Sequence, residues 1–178
     1  MIMMTPPTLG RKVCLLGDFA VGKTSLVRRF VYDRFDDTYI STIGVKVSRK
    51  AVMVARPDRV IEVAIMLWDL AGSEEFDAMR ASYLRGAAGA LLVFDLTRPE
   101  TLDRLPEYAA QIRQATPGAE LAIAANKVDL VDDPAALPAA ASAMAARLGA
   151  PIKATSARRG DAVEDLFRDL ASRLAGEG

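Results

Sequence analysis

Histidine is absent from all 178 residues. Ser/His/Asp and Cys/His nucleophilic systems, HExxH metalloproteases and most zinc sites are thereby removed, because each needs an imidazole as base or ligand. Cysteine occurs once, as Cys14, inside the apolar run Val13, Cys14, Leu15, Leu16. It has no internal disulfide partner, and the expectation is a buried strand position in a reducing, cytoplasmic setting. Neither sign of charge is in excess, with 23 lysines and arginines against 23 aspartates and glutamates. A chain without net charge has no global field to gather nucleic acid or an anionic membrane, so neither is expected as a partner. No run approaches the ~18 apolar residues of a membrane-spanning helix. Met1 to Gly10 lack a basic region leading into a long apolar stretch, and Ile2 stands where myristoylation requires glycine. Leu174 to Gly178 hold no cysteine to prenylate, so no intrinsic membrane anchor is expected.

What is present reads as one compact domain, long enough to bury a core without disulfides or a structural metal. Residues 1–10 are expected to be a flexible tail and residues 11–175 the folded unit. Short apolar runs, Lys12 to Leu16, Ile61 to Leu67, Ala88 to Phe94, Ala119 to Ala125 and Ala150 to Ala154, read as strands. Between them lie helix candidates. Asp161 to Leu174 places Val163, Leu166, Phe167, Leu170 and Leu174 on one apolar stripe. A second helix is expected through Leu102, Leu105, Tyr108, Ala109 and Ile112, and a third after Pro134 through Ala135 to Leu148. Such alternation predicts an α/β fold, a mostly parallel sheet with helices on both faces and ligands at the carboxyl ends of its strands. Val45 to Val54 and Val60 to Leu67 flank the turn formers Arg56, Pro57 and Asp58, which predicts one antiparallel hairpin within that sheet.

The first strand runs straight into Gly17-Asp18-Phe19-Ala20-Val21-Gly22-Lys23-Thr24, which fits GxxxxGK[ST] in its required strand, loop, helix context. Gly17 and Gly22 permit a tight backbone whose N–H groups face phosphate, and the helix opening at Lys23, Thr24 and Ser25 adds its positive end. Lys23 neutralises the β and γ phosphates, and the Thr24 hydroxyl is placed for Mg²⁺. The loop says triphosphate but not which base. The base is selected by Asn126-Lys127-Val128-Asp129 after the strand Leu121 to Ala125. A carboxylate at Asp129 accepts from both guanine N1–H and the exocyclic amine, whereas adenine lacks that donor pair. Leaving a buried carboxylate unpaired discriminates by roughly 10⁴ or more.

Asp69-Leu70-Ala71-Gly72 follows Trp68, so that Asp69 can reach Mg²⁺ through water and the Gly72 N–H can meet a γ phosphate. Thr42, in a polar loop before the hairpin, can add its hydroxyl to the metal only when a γ phosphate is present, which makes it an order-disorder switch. Thr155-Ser156-Ala157 follows the last strand and offers backbone donors to guanine O6.

With these motifs in this order, the sequence resembles the Ras-superfamily GTPases and is most similar to the Rab family, from Arg11 to Leu174. Tyr39-Ile40-Ser41-Thr42-Ile43-Gly44-Val45, Trp68-Asp69 and Tyr83-Leu84-Arg85-Gly86-Ala87 carry the likeness to Rab patterns. The resemblance implies a small G-domain of the P-loop NTPase class with a six-stranded sheet and five helices. It implies nucleotide contacts from Asp18, Ala20, Val21, Tyr39 and Lys127 and an edge-on contact of Phe35 with guanine. GTP or GDP with Mg²⁺ is the implied ligand set, with Thr24, Thr42 and Asp69 around the metal. Catalytic roles fall to Lys23, Thr42, Gly72 and the residue after it. Effectors, exchange factors and activating proteins would meet two switch loops, around Thr42 and from Gly72 to Tyr83.

Four departures bear on activity and partners. Ser73 stands where the family has a glutamine that orients the attacking water. Phe19 stands where it prefers a small residue, which would crowd the γ phosphate. The stretch from Thr42 to Asp69 is a few residues longer than usual, so the hairpin turn at Arg56 to Arg59 is expected to project. Of three aromatics that help Rab proteins read effectors, Trp68 and Tyr83 match and Val47 replaces the third. Three readings follow: a switch that hydrolyses GTP slowly, in a prokaryotic or otherwise unlipidated Rab-like protein; a hydrolysis-defective GTP-binding interaction module; and a P-loop ATPase or kinase, which the NKxD motif disfavours.

Overall fold

The computed structural model describes residues 5–38, 42–72, 77–133 and 137–176. In chain order these form β1 (Thr8–Leu16), α1 (Lys23–Tyr32), β2 (Val45–Ala55), β3 (Val60–Leu70), α2 (Asp77–Tyr83) and β4 (Gly89–Asp95). There follow α3 (Glu100–Asp103), α4 (Leu105–Ala115), β5 (Glu120–Asn126), a 3₁₀ turn (Val128–Leu130), α5 (Ala139–Leu148), β6 (Ile152–Ala154) and α6 (Val163–Leu174). The six strands make one sheet in the order β2-β3-β1-β4-β5-β6. All neighbours pair in parallel except β2 with β3, whose antiparallel register runs from Val45↔Leu70 to Ala55↔Val60. The expected α/β architecture with one hairpin is therefore present.

The alternation of side chains along a strand divides the core in two. Val13 and Leu15 of β1 pack with Leu26, Val27 and Phe30 of α1 and with the apolar stripe of α6. Cys14 and Leu16 face the other way, onto Leu105, Tyr108 and Ile112 of α4 and Ala141, Ala145 and Leu148 of α5. Every residue of β4 is buried, as its unbroken apolar run demands of a central strand covered on both faces. The stripe on α6 is buried along its whole length, with Phe167 stacked on Phe30 at 4.1 Å between centroids.

Three boundaries differ from the sequence expectation. Thr8, Leu9 and Gly10 are not tail: they pair with Glu62, Val63 and Ala64, so β1 starts three residues before the domain boundary expected at Arg11. The single helix expected from Leu102 to Ile112 breaks at Arg104. Pro106 has no N–H for the Leu102 carbonyl, so α3 stops and α4 restarts with the proline in its first turn. The alanine-rich helix begins at Ala139, after Pro138, because proline holds the residue before it in extended backbone; its expected start at residues 134–136 lies outside the described residues. The hairpin turn, expected to project, is tied down. Arg56 donates from Nη1 to Ser172 Oγ at 3.2 Å and from Nη2 to the Ser172 and Gly176 carbonyls at 2.6 and 2.7 Å.

Candidate nucleotide-binding site

The carboxyl ends of β3 and β5 and the segments after β1 and β6 converge on a cleft of about 500 Å³. Its phosphate end is the loop between β1 and α1. Gly22 adopts φ 106°, a left-handed backbone closed to most side chains, and a Cβ there would strike Asn126 Nδ2. A Cβ on Gly72 would lie 2.7 Å from the Phe19 nitrogen, so the DxxG glycine lets β3's exit press against the loop. Lys23 is 7% exposed and donates from Nζ to the Gly17 and Asp18 carbonyls at 2.8 and 3.1 Å. Burial pushes its ammonium down to about 8, against the pull of Asp69. Ala20 takes φ 62° beside it.

Thr24, Thr42 and Asp69 come together from three separate segments. The Thr24 hydroxyl bonds Asp69 Oδ2, and Thr24 Oγ1 lies 2.5 Å from Thr42 Oγ1. Burial raises the Asp69 pKa, against the lowering effects of the Thr24 bond and of Lys23. Asp69 Oδ1 is buried, and no group among the described residues donates a hydrogen bond to it. Two hydroxyls and a carboxylate with a spare buried oxygen form a hard, all-oxygen set, which fits Mg²⁺ rather than a softer metal.

The base end is built by cross-bracing. Asn126 is buried, donates from Nδ2 to the Val21 carbonyl at 3.0 Å and accepts from Thr155 Oγ1 at 3.1 Å. Lys127, at φ 69°, donates to the Ala20 carbonyl at 2.9 Å. Ser156 donates to Asp129 Oδ1 at 2.8 Å, and Thr155 accepts from the Val128 amide at 3.0 Å. Arg29 Nε holds the Ala157 carbonyl at 2.8 Å. Phe35, Asp129 and Ala157 line the cleft, as do Ser25 and Thr42. Of the expected nucleotide contacts within the described residues, Ala20, Gly22, Lys23, Thr24, Ser25, Phe35, Thr42, Gly72, Asn126, Lys127, Asp129 and Ala157 line this cleft, whereas Gly17, Asp18, Val21, Thr155 and Ser156 are not on its wall. Tyr39 and Ser73 lie outside the described residues. Phe19, 49% exposed, lines the phosphate end of the cleft.

Sequence reasoning missed a buried acid. Asp95, 1% exposed at the end of β4, accepts from the Thr97 amide and hydroxyl at 2.8 and 2.6 Å, from Arg98 at 3.2 Å and from Lys127 at 2.8 Å. Burial alone would raise its pKa, but these donors outweigh that and hold it below the usual carboxylate range. It also missed Tyr108, which bonds Asp18, and Arg28 and Arg158, which line the cleft. The one available signal was positional, since Asp95 ends an apolar strand at the same sheet edge as Asp69 and Asn126. On the outer surface Trp68 and Tyr83 meet at 6.3 Å between ring centroids, and Val47 pairs with Trp68 across the hairpin.

A doubly wound sheet with this loop at its first strand and a base-end brace at its fifth defines a P-loop nucleotide-binding domain. A profile of the Ras family matches residues 12–175. The human Ras-related protein Rab-22A is 37% identical over 164 residues, which span 92% of this chain and 82% of that protein. The GTP-binding protein ypt5 of Schizosaccharomyces pombe is 37% identical over 169 residues, covering 94% of this chain and 79% of its own. The rat Ras-related protein Rab-31 is 35% identical over 164 residues, covering 92% and 82%. The chain belongs to the Ras family and is a Rab-like small GTPase. Membership sets aside the ATPase or kinase reading. Among the described residues no helix is long and apolar enough to cross a membrane.

Proposed function

We propose that this protein is a guanine-nucleotide switch that binds GTP and GDP with Mg²⁺ and hydrolyses GTP slowly. One observation carries the reading: residues of the phosphate loop, Thr24, Thr42 and the Asn126, Lys127 and Asp129 side of the base brace all border the same cleft, with Asp69 bonded to Thr24 just behind it. Asp129 accepts from guanine while Ser156 fixes its second oxygen. Lys23 leaves the loop carbonyls for the β and γ phosphates, which restore the charge stabilisation that burial removes. The loop amides and Gly72 N–H hold phosphate oxygens, and Phe35 covers the base. Mg²⁺, when bound, neutralises charge developing between the β and γ phosphates. Thr24, Thr42 and Asp69 would hold it.

Because Thr42 can serve the metal only beside a γ phosphate, its segment reports which nucleotide is present. The partners of such a switch are effector, exchange-factor and activating proteins, acting through the loops around Thr42 and from Gly72 to Tyr83. The exposed Val47 beside Trp68 and Tyr83 supports a partner choice unlike that of a Rab protein with three aromatics. The single buried thiol, Cys14, supports work in the cytoplasm.

A hydrolysis-defective GTP-binding module is the second reading, favoured by Phe19 at the phosphate end of the cleft and by Ser73 in place of glutamine. Chromatography of the nucleotide released on denaturing freshly purified protein decides between them. Mainly GDP supports the slow hydrolase, and mainly GTP supports the module. An adenine nucleotide would overturn both.

A further inference from the structure

Five consecutive carbonyls of the phosphate loop are each taken by a side-chain donor. Lys23 holds those of Gly17 and Asp18, Lys127 that of Ala20, and Asn126 that of Val21. These three donors belong to the nucleotide motifs. The remaining carbonyl, of Phe19, accepts from Arg98 Nη2 at 2.7 Å. Arg98 belongs to no motif. Its Nε is set by Asp95 Oδ2 at 3.2 Å, and Asp95 is itself fixed by Thr97 and Lys127.

A trans peptide is planar, with its C=O and N–H pointing in opposite directions. Arg98 does not line the cleft, so the Phe19 carbonyl that it holds is directed away from the cleft, and the N–H of the same peptide, which belongs to Ala20, is turned the other way, toward it. Phe19 and Ala20 both line that cleft. A guanidinium on the carbonyl oxygen also polarises the amide, which strengthens the N–H as a donor. Lys127 does the same for the next peptide, between Ala20 and Val21.

We propose that Arg98 is a positioning residue for phosphate binding: held by Asp95, it pins the Phe19 carbonyl outward and aims a polarised Ala20 N–H at the β phosphate of the bound nucleotide. The inference rests on the guanine-nucleotide reading above. It makes Arg98 matter for nucleotides that have a β phosphate and not for guanosine monophosphate, which ends before that position.

The test measures dissociation constants for GDP and GMP with wild-type protein and with Arg98→Met, which keeps the aliphatic stem. The expected result is a fall of about tenfold in the preference for GDP over GMP, the size of one charge-assisted hydrogen bond. GMP affinity should stay within about twofold of wild type, as no β contact is lost. Arg98→Lys should recover part of the preference, since one ammonium can reach Phe19 or Asp95 but does not fork to both. An unchanged preference, or an equal loss for GDP and GMP, overturns the proposal. If Arg98→Met does not fold, Arg98→Gln against Arg98→Lys supplies the same comparison, with the lower preference expected for glutamine. A wild-type protein that binds neither GDP nor GMP would instead overturn the guanine-nucleotide reading on which the proposal stands.

Discussion

The Tyr108 hydroxyl donates to Asp18 Oδ1 at 2.6 Å, which fastens α4 to the second residue of the phosphate loop. Tyr108 is 1% exposed, and the Arg80 and Arg104 guanidiniums lie 5.1 and 5.7 Å from its ring. Burial and the Asp18 carboxylate keep the hydroxyl well above the usual phenol range, so it remains a donor at any working pH. Tyr108→Phe should cost about 1–2 kcal/mol in urea unfolding, because the bond is lost while Arg104, 3.8 Å from the same oxygen, keeps Asp18 from being stranded. An unchanged midpoint would mark the contact as passive.

Asp95 gives the acid limb of stability a definite sign. Its folded pKa lies below the unfolded value, so its contribution is present above the unfolded pKa, about 4, and is lost as pH falls through the folded one. Asp95→Asn should lower stability at pH 7 and flatten the decline below pH ~4, so that variant and wild-type curves approach each other in acid. Urea midpoints between pH 2 and 7 check this; parallel curves would place the acid sensitivity elsewhere.

Arg56 joins the hairpin turn to the end of α6 through three hydrogen bonds. Removing it should cost about 1–3 kcal/mol, the range for hydrogen bonds in which the donor is charged, at a half-exposed site. Hydrogen exchange should quicken at the Arg56 amide, which closes the turn onto the Arg59 carbonyl. GDP affinity should not change, because the cleft is at the opposite end of the sheet.

Hydrolysis is expected to be limited at two positions. Ser73→Gln should raise the single-turnover rate on the order of 10²-fold, the effect of one well-placed polar group. Phe19→Gly should chiefly raise the rate stimulated by an activating protein, since it clears the mouth of the cleft. Equal rates in all variants would show that neither side chain sets the reaction.

The fold was legible because its cues are local. Unbroken apolar runs marked β4 and β5, a 3.6-residue stripe marked α6, and Arg56-Pro57-Asp58 marked the hairpin turn. The nucleotide motifs were legible for the same reason, as each occupies a few adjacent residues at a strand end. The bracing was not. Asp95, Arg98 and Lys127 meet only after β4 and β5 pair in register, and Tyr108 reaches Asp18 only once α4 lies on the sheet. No sequence spacing reports such distances. The break at Arg104 was in principle visible, since Pro106 lies inside the expected helix, but the apolar period through Leu102 and Leu105 masked it.

The two edges of the sheet differ in a way that governs how the protein behaves when concentrated. β6 is three residues long, too short to template another strand. β2 is eleven residues long and, among the described residues, leaves one row of amides and carbonyls without a sheet partner. Along it stand the exposed Lys46 and Arg49, and a second copy pairing edge to edge would bring those like charges together and strip their water. Lys46 and Arg49 thereby act as gatekeepers against self-association. Replacing them with uncharged β-formers would leave the fold intact and make the protein prone to aggregate.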